Sequence, residues 1–124
     1  MLQLRDDRPG IWYPGHWGLF GGTLEKGESP ETALRRELAE ELSLDLDSTM
    51  LLMSMKFDFA TWGKPIYRDI FEVKITRRAI RELRLGEGQQ VREWQTDEIG
   101  RLKLVPADRI ALDFHIYRAE SPAG

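Results

Sequence analysis

The chain contains, at residues 22–44, the segment GTLEKGESPETALRRELAEELSL, which joins a glycine-containing loop to a strongly helical run. Ser29 is a suitable N-cap, Pro30 suits the first helical position, and Glu31 complements the positive end of the helix dipole. Every side chain from residue 33 to residue 42 belongs to a good helix former. The segment therefore predicts a helix that begins at Pro30. Leucines four residues apart form its expected buried stripe: Leu34, Leu38 and Leu42.

Three glutamates, Glu37, Glu40 and Glu41, lie three and four residues apart on this helix. At about 100° per residue they share one quadrant of its surface, so their charges repel one another. Such a face is often only solvated, but here it borders the leucine stripe and follows a loop in which glycine permits close approach of the backbone. Carboxylates without cysteine or histidine suit hard cations, so the pattern favours a Mg²⁺ or Mn²⁺ site for phosphate chemistry.

Residues 22–44 resemble the Nudix box, G-x5-E-x7-R-E-U-x-E-E-x-G-U, in which U is a bulky aliphatic residue. Every defining position matches except one, because Ser43 replaces the usual glycine. A residue just past a helix end commonly adopts the left-handed conformation, which serine tolerates at a cost of about 1 kcal/mol. We therefore expect the departure to affect stability more than chemistry.

The resemblance implies a hydrolase in which water attacks phosphorus and breaks a pyrophosphate bond. It implies that Glu37, Glu40 and Glu41 hold the metal with the Gly22 carbonyl as a further ligand; activation of the water is the alternative role of Glu37. It also implies that Glu28 and Arg36 pair to support the site. These roles follow from the resemblance alone.

Other candidates lie outside the box. Family members often use a further acidic residue from another loop, and Glu87 between two glycines is the candidate here; its alternative role is an ordinary turn residue. Arg5 and Arg8 are candidates for contact with substrate phosphate, or else are solvated. Three aromatic residues before the box are candidates for stacking on a base, although packing explains them equally well: Trp12, Tyr13 and Trp17.

The remaining pattern indicates an α/β fold. Leu2 and Leu4 indicate a short strand, and residues 8–23 a long loop. Alternating apolar residues predict two longer strands, one through residues 51–59 and one through residues 69–75, joined by a hairpin over residues 61–65. A short strand is expected over residues 91–94. A last helix from Pro106 is expected to carry one apolar face: Ile110, Ala111, Phe114 and Tyr117.

The resemblance implies a Nudix-type α/β/α sandwich with a mixed central sheet that lacks the usual first strand. We expect one domain over residues 1–124, with a polar tail at residues 119–124. A missing strand would leave an exposed sheet edge, which invites pairing with a second copy. A homodimer is therefore predicted.

Composition excludes several classes of protein. The 124 residues include no cysteine and only two histidines, which excludes disulfides and disfavours a zinc site. A net charge of −3 does not indicate a nucleic-acid partner. No apolar run is long enough to span a membrane, and the N-terminus does not resemble a secretory signal, so the cytoplasm is the expected location.

The pattern leaves the substrate open. Nucleoside triphosphates are slightly favoured because the chain is small, whereas nucleotide sugars, ADP-ribose and dinucleotide polyphosphates remain alternatives. A Nudix-fold module that binds a nucleotide without hydrolysing it is a second hypothesis, and a protein that uses the acidic helix only for interaction is a third. The retained carboxylates and arginine of the box argue against the binding module, and the glycine-rich loop argues against the third.

Overall fold

The computed structural model describes residues 1–58, 63–86 and 90–120. The strands in this part of the chain are β1 (Leu2–Leu4), β2 (Trp17–Gly18), β3 (Thr49–Phe57), β4 (Ile66–Val73) and β5 (Gln90–Arg92). The helices are α1 (Pro30–Leu42), α2 (Arg77–Arg81), α3 (Thr96–Ile99) and α4 (Pro106–Glu120). No described helix is long and apolar enough to cross a membrane.

Helix α1 begins as the sequence predicts. The Thr32 amide donates to the Ser29 hydroxyl at 3.2 Å, and Pro30 occupies the start of the helix, where no intrahelical donor is needed. Leu38 and Leu42 are buried, and Leu34 packs against them at the edge of the core. The apolar stripe thus turns the glutamates of α1 toward the border between core and solvent.

Ser43 ends α1 in the left-handed conformation, with φ 54° and ψ 32°. Its amide donates to the Ala39 carbonyl at 3.0 Å, and the Leu44 amide reaches back to the Leu38 carbonyl at 3.2 Å. This cap reverses the chain so that Leu44 and Leu46 join the buried cluster. The expected conformation at Ser43 is therefore confirmed.

The strands form two separate sheets. One contains β2, β1 and β5 in that order, and the other is the hairpin of β3 and β4; all pairs are antiparallel. Strand β2 lies inside the stretch expected to be a loop, and a parallel bridge joins Trp17 to Leu104. The α/β class is confirmed, whereas the described strands do not form one continuous mixed sheet.

A bulge changes which side chains of β3 face inward. The register of β3 against β4 shifts between Leu51 and Met53, so the alternation expected from Leu51 onward is broken. Leu51 is 54% exposed, while Leu52 lines a cavity against α1 and α4. The strand is as predicted, but the alternation from residue 51 is interrupted, because periodicity does not reveal a bulge. Phe59 and the first two residues of the expected hairpin connection lie outside the described residues.

Helix α4 presents a different face to the core from the one expected. Ile110, Phe114 and Tyr117 are exposed, and only Ala111 of the expected face is buried. Leu112 and Ile116 pack instead on the cluster around Leu2, Ile99 and Leu104. When a helix has apolar residues on two sides, its sequence does not show which side packs against the core. The helix runs through Glu120, covering the first two residues of the expected tail, and residues 121–124 are not described.

The left-handed cap makes a prediction about stability. Ser43→Gly should stabilise the fold by about 1 kcal/mol, because glycine lacks the Cβ that disfavours this conformation. The expected rise in melting temperature is about 4 °C, measured by thermal unfolding. Ser43→Ala is the matched control: it keeps the Cβ and should give no such rise. Equal melting temperatures for the two variants would contradict this account of the cap.

Candidate active site

Arg36 on α1 joins the preceding loop to the helix. Its Nε donates to Oε2 of Glu28 at 2.8 Å and its Nη2 to Oε1 at 3.0 Å, a bidentate pair. The same Nη2 donates to the Thr23 carbonyl at 3.1 Å. These bonds hold two points of the loop against the helix, as the resemblance implied for Glu28 and Arg36.

The other side of the guanidinium faces the acidic residues. Nη1 of Arg36 lies 3.0 Å from Oε1 of Glu37, 3.4 Å from Oε2 of Glu40 and 3.6 Å from Oε1 of Glu25. The hydrogen bond from Arg36 holds the pKa of Glu28 below its usual range, and the same bond raises the pKa of Arg36. The positive charge of the Arg36 guanidinium therefore offsets the repulsion among several carboxylates.

Gly22 and Glu37 are in close contact. A side chain at residue 22 would overlap the Glu37 carboxylate, lying 2.7 Å even from its Oε2. Only glycine lets the loop backbone pass so near that carboxylate. The sequence-predicted residues Gly22 and Glu37 are thus brought together.

Glu41 and the loop after α2 meet at the end of α1. Glu41 is buried, and the Gly86 amide donates to its backbone carbonyl at 2.6 Å. A Cβ at Gly86 would lie 3.1 Å from the Glu40 carbonyl oxygen, so this approach is also tight. Glu87, the next residue, lies outside the described residues.

The chemistry of the donor set fits a hard divalent cation, because Glu37, Glu40 and Glu41 offer carboxylate oxygens without competing soft ligands, and Glu37 lies against the loop at Gly22. In the described ranges no three acidic or histidine side chains converge closely enough to hold an ion. Arg36 pairs with Glu37 and Glu40 and thereby occupies carboxylate oxygens that a cation would need. A cation at this face therefore competes with Arg36.

A cleft of about 580 Å³ opens beside this group. Its lining residues come from the loop before α1, the first half of that helix, β4 and the start of α4. This cleft is defined by residues that include Arg5, Trp12, Phe20, Gly21, Gly22, Thr23, Leu34, Tyr67, Arg68, Ile70 and Asp108.

Two of the five sequence-predicted candidates for substrate contact line the cleft, and three do not. Arg5 and Trp12 line the cleft, and the Arg5 Nε donates to the Trp12 carbonyl at 2.6 Å. Arg8 is exposed and does not line it. The Tyr13 ring stands edge-on to the Trp12 ring, with 5.0 Å between the ring centroids, and it also contacts the His16 ring. Trp17 packs edge-on against Trp94 at 5.0 Å, next to the core, so the structure does not bring it to the cleft.

Several polar cleft residues were not singled out from the sequence as site residues: Thr23, Tyr67, Arg68, Asp69 and Asp108. Asp108 is buried, and its Oδ2 accepts a hydrogen bond from the Leu19 amide at 2.9 Å. Burial raises its pKa. One signal was available: Asp108 lies three and four residues before Ala111 and Leu112, which places a carboxylate on the inward face of α4.

Comparisons with known proteins agree with this geometry. A family model described as NUDIX domain matches residues 3–121. The nucleoside triphosphatase NudI of Escherichia coli is 33% identical over 104 residues, which cover 79% of this chain and 72% of that protein. A match to the NudI of an Enterobacter strain is 54% identical over 49 residues and covers 40% of this chain and 33% of that protein.

Solved structures resemble the whole chain. A MutT NUDIX hydrolase from Burkholderia pseudomallei superposes with a TM-score of 0.74 at 27% identity, over 90% of this chain and 84% of that one. The ORF135 protein of E. coli superposes with a TM-score of 0.75 at 27% identity, over 99% of this chain and 84% of that one.

The Glu28–Arg36 pair makes a prediction about pH. Because the pKa of Glu28 lies below 4.5 in the folded protein, its ionised form stabilises the fold above that pH, and this contribution is lost as the pH falls through the folded-state pKa. Glu28→Gln should therefore lower the free energy of unfolding at pH 7. We expect the difference from the unsubstituted protein to shrink as the pH falls below about 4.5. Urea titrations from pH 7 to pH 3 measure this, and a difference independent of pH would contradict it.

Proposed function

The chain belongs to the NUDIX family of hydrolases, and from this premise we propose that it cleaves a pyrophosphate bond in nucleoside triphosphates with the help of a divalent cation, Mg²⁺ or Mn²⁺. The relative named nucleoside triphosphatase, 33% identical to this chain, supports the choice of substrate class. Nucleotide sugars, ADP-ribose and dinucleotide polyphosphates are the alternatives that an experiment must separate.

The contact between Gly22 and Glu37 is the observation that carries the proposal. It brings a carboxylate against the backbone of a loop at one end of a cleft large enough for a nucleotide. The partly buried carboxylate is compensated on one side by Arg36, 3.0 Å from Oε1. A cation shared by the carboxylate and the loop carbonyl would add to that compensation and explains why the two are held so close.

In this proposal Glu37, Glu40 and Glu41 hold the cation together with the Gly22 carbonyl. Bound there, a divalent cation supplies positive charge against the phosphate oxygens and makes water a better nucleophile. The Glu40 side chain is 60% exposed, against 16% for Glu37, and is therefore free to turn toward the cation. Arg36 then keeps its bidentate bond to Glu28 and releases the oxygens of Glu37 and Glu40.

The chain's own residues bind the rest of the substrate. Arg5 lies at the cleft wall, where its positive charge attracts phosphate, and Trp12 offers an aromatic surface for a base. Glu87 remains the proposed additional acid or base. The bond from Gly86 to the Glu41 carbonyl supports this role, because it ties the preceding residue to the acidic end of α1.

Phosphate and pyrophosphate release across a panel of nucleotides tests the proposal. The panel contains nucleoside triphosphates, nucleotide sugars, ADP-ribose and dinucleotide polyphosphates, each with Mg²⁺, Mn²⁺ or EDTA. We expect turnover of nucleoside triphosphates that EDTA abolishes. Turnover confined to another class would contradict the substrate assignment, and turnover undiminished by EDTA would contradict the cation.

Glu40→Gln tests the carboxylates directly. The amide keeps the shape of the side chain but removes a charged oxygen ligand, so turnover should fall by at least about a hundredfold while the melting temperature changes little. Glu31→Gln is the matched control, because Glu31 is exposed on the same helix and pairs with Arg35, away from the cleft. Near-normal turnover by Glu40→Gln would remove that residue from the site.

We also propose that two copies of the chain associate through an exposed sheet edge. Each strand of the β3–β4 hairpin pairs on one side only among the described strands, and Met50 and Leu51 of β3 are exposed apolar residues. Unpaired edges with apolar side chains favour association. Light scattering at micromolar concentration should give the mass of a dimer, and a monomer there would rule out this association.

A further inference from the structure

Residues 74–84 form a basic segment that the overall composition conceals. Five of its side chains are basic and one is acidic, whereas the whole chain has 18 basic and 21 acidic side chains. The segment contains α2, and all of its basic side chains are exposed: Lys74, Arg77, Arg78, Arg81 and Arg84. The net charge of −3 therefore does not describe this part of the surface, which is locally positive.

Neighbouring acidic residues neutralise this charge only in part. Nε of Arg78 lies 3.0 Å from Oε1 of Glu82, and Nη1 of Arg77 lies 3.4 Å from Oε1 of Glu93. Both arginine side chains are 81% exposed, and ion pairs so exposed to water contribute little. Two further arginines of the basic segment make no ion pair with the described residues: Arg81 and Arg84. The segment therefore keeps positive charge for a partner.

A groove of about 520 Å³ lies between α2 and β5, beside the basic segment. Its charged lining residues are Arg92 and Glu93, and Arg77 reaches Glu93 from α2. The other lining side chains are apolar: Met1, Ile80, Leu83, Leu85 and Val91. Among the described strands β5 is the last of its sheet, so the groove follows an edge of the molecule's three-stranded sheet. Positive charge and apolar surface thus lie side by side there.

We propose that this surface, the basic segment with its groove, binds a single-stranded nucleic acid. Each nucleotide of a strand carries one phosphate and one flat aromatic base, so its repeating unit combines negative charge with a face that packs on apolar side chains. Guanidinium groups bind phosphate through two hydrogen bonds at once, and four of the five basic side chains are arginines.

The apolar lining favours a single strand over the other polyanions. A duplex keeps its bases stacked inside and leaves none to cover the groove, and an acidic peptide carries no aromatic face on each charged unit. The groove shares no lining residue with the cleft, so this binding is separate from the proposed hydrolysis. The inference therefore goes beyond the proposed function.

Fluorescence anisotropy of a labelled oligothymidylate tests the inference. The titrations are made in EDTA, which removes divalent cations, at NaCl concentrations between about 50 and 200 mM. We expect binding that weakens with salt, because phosphates neutralised by arginine release their counterions. For about four phosphate contacts on a single strand, the slope of log K against log[NaCl] should be about −3.

The double variant Arg81→Gln, Arg84→Gln removes two of the exposed charges and should make this slope shallower by about 1.4. The double variant Arg101→Gln, Lys103→Gln is the matched control, because it loses the same charge from exposed side chains elsewhere. The Lys103 carbonyl accepts from the Trp17 amide of β2, at the edge of the sheet opposite β5. The control should keep the original slope; an equal change in both variants would overturn the assignment to the basic segment.

Hydrolysis measured beside binding separates this inference from the proposed function. Turnover of nucleoside triphosphates should be unchanged in Arg81→Gln, Arg84→Gln, because neither residue lines the cleft. Turnover by a protein that does not bind oligothymidylate would overturn the inference and leave the proposed function standing; salt-dependent binding without turnover would do the opposite. Equal binding of a glutamate homopolymer would overturn the assignment to nucleic acid. Should the double variant fail to fold, absence of binding by the unsubstituted protein at about 50 mM NaCl would still overturn the inference.

Discussion

The bidentate pair between Arg36 and Glu28 is the interaction on which the candidate site depends. It joins two positions eight residues apart, one in the loop and one on α1, at 2.8 and 3.0 Å. The remaining donors of Arg36 reach Thr23, Glu37 and Glu40, so one side chain sets the path of the loop and the charge of the acidic face together. Lysine could not replace it, because a single ammonium group lacks the planar fork that serves both sides at once.

Close approach at glycine is the second constraint. Gly22 admits the Glu37 carboxylate beside the loop, Gly18 admits the Asp108 carboxylate, and Gly86 admits a backbone contact at the end of α1. In each case the missing side chain is replaced by a polar group of another element. The glycines of this chain therefore do more than form turns: three of them mark where the backbone must pass a polar group at short range.

Two acidic regions of the structure differ in chemistry. On α1 several carboxylates surround one arginine, whereas on α4 a single carboxylate, Asp108, accepts from the Leu19 amide and lines the cleft together with Arg5 and Arg68. The first arrangement suits the common reaction of the NUDIX family, in which phosphate charge must be neutralised.

The sequence by itself determined the elements whose signals are local. The cap at Ser29, the leucine stripe and the left-handed residue at Ser43 depend on neighbours within one or two turns, and each was predicted correctly. The resemblance of residues 22–44 also identified the family. Only the tertiary structure decided the bulge near Leu52, the inward face of α4, and the separation of Trp17 from the cleft. It alone brought Asp108 to Leu19 across 89 residues of chain. The physical reason is that caps and stripes are set by short-range geometry, whereas these positions depend on which of several apolar surfaces pack together, and periodicity does not specify that choice.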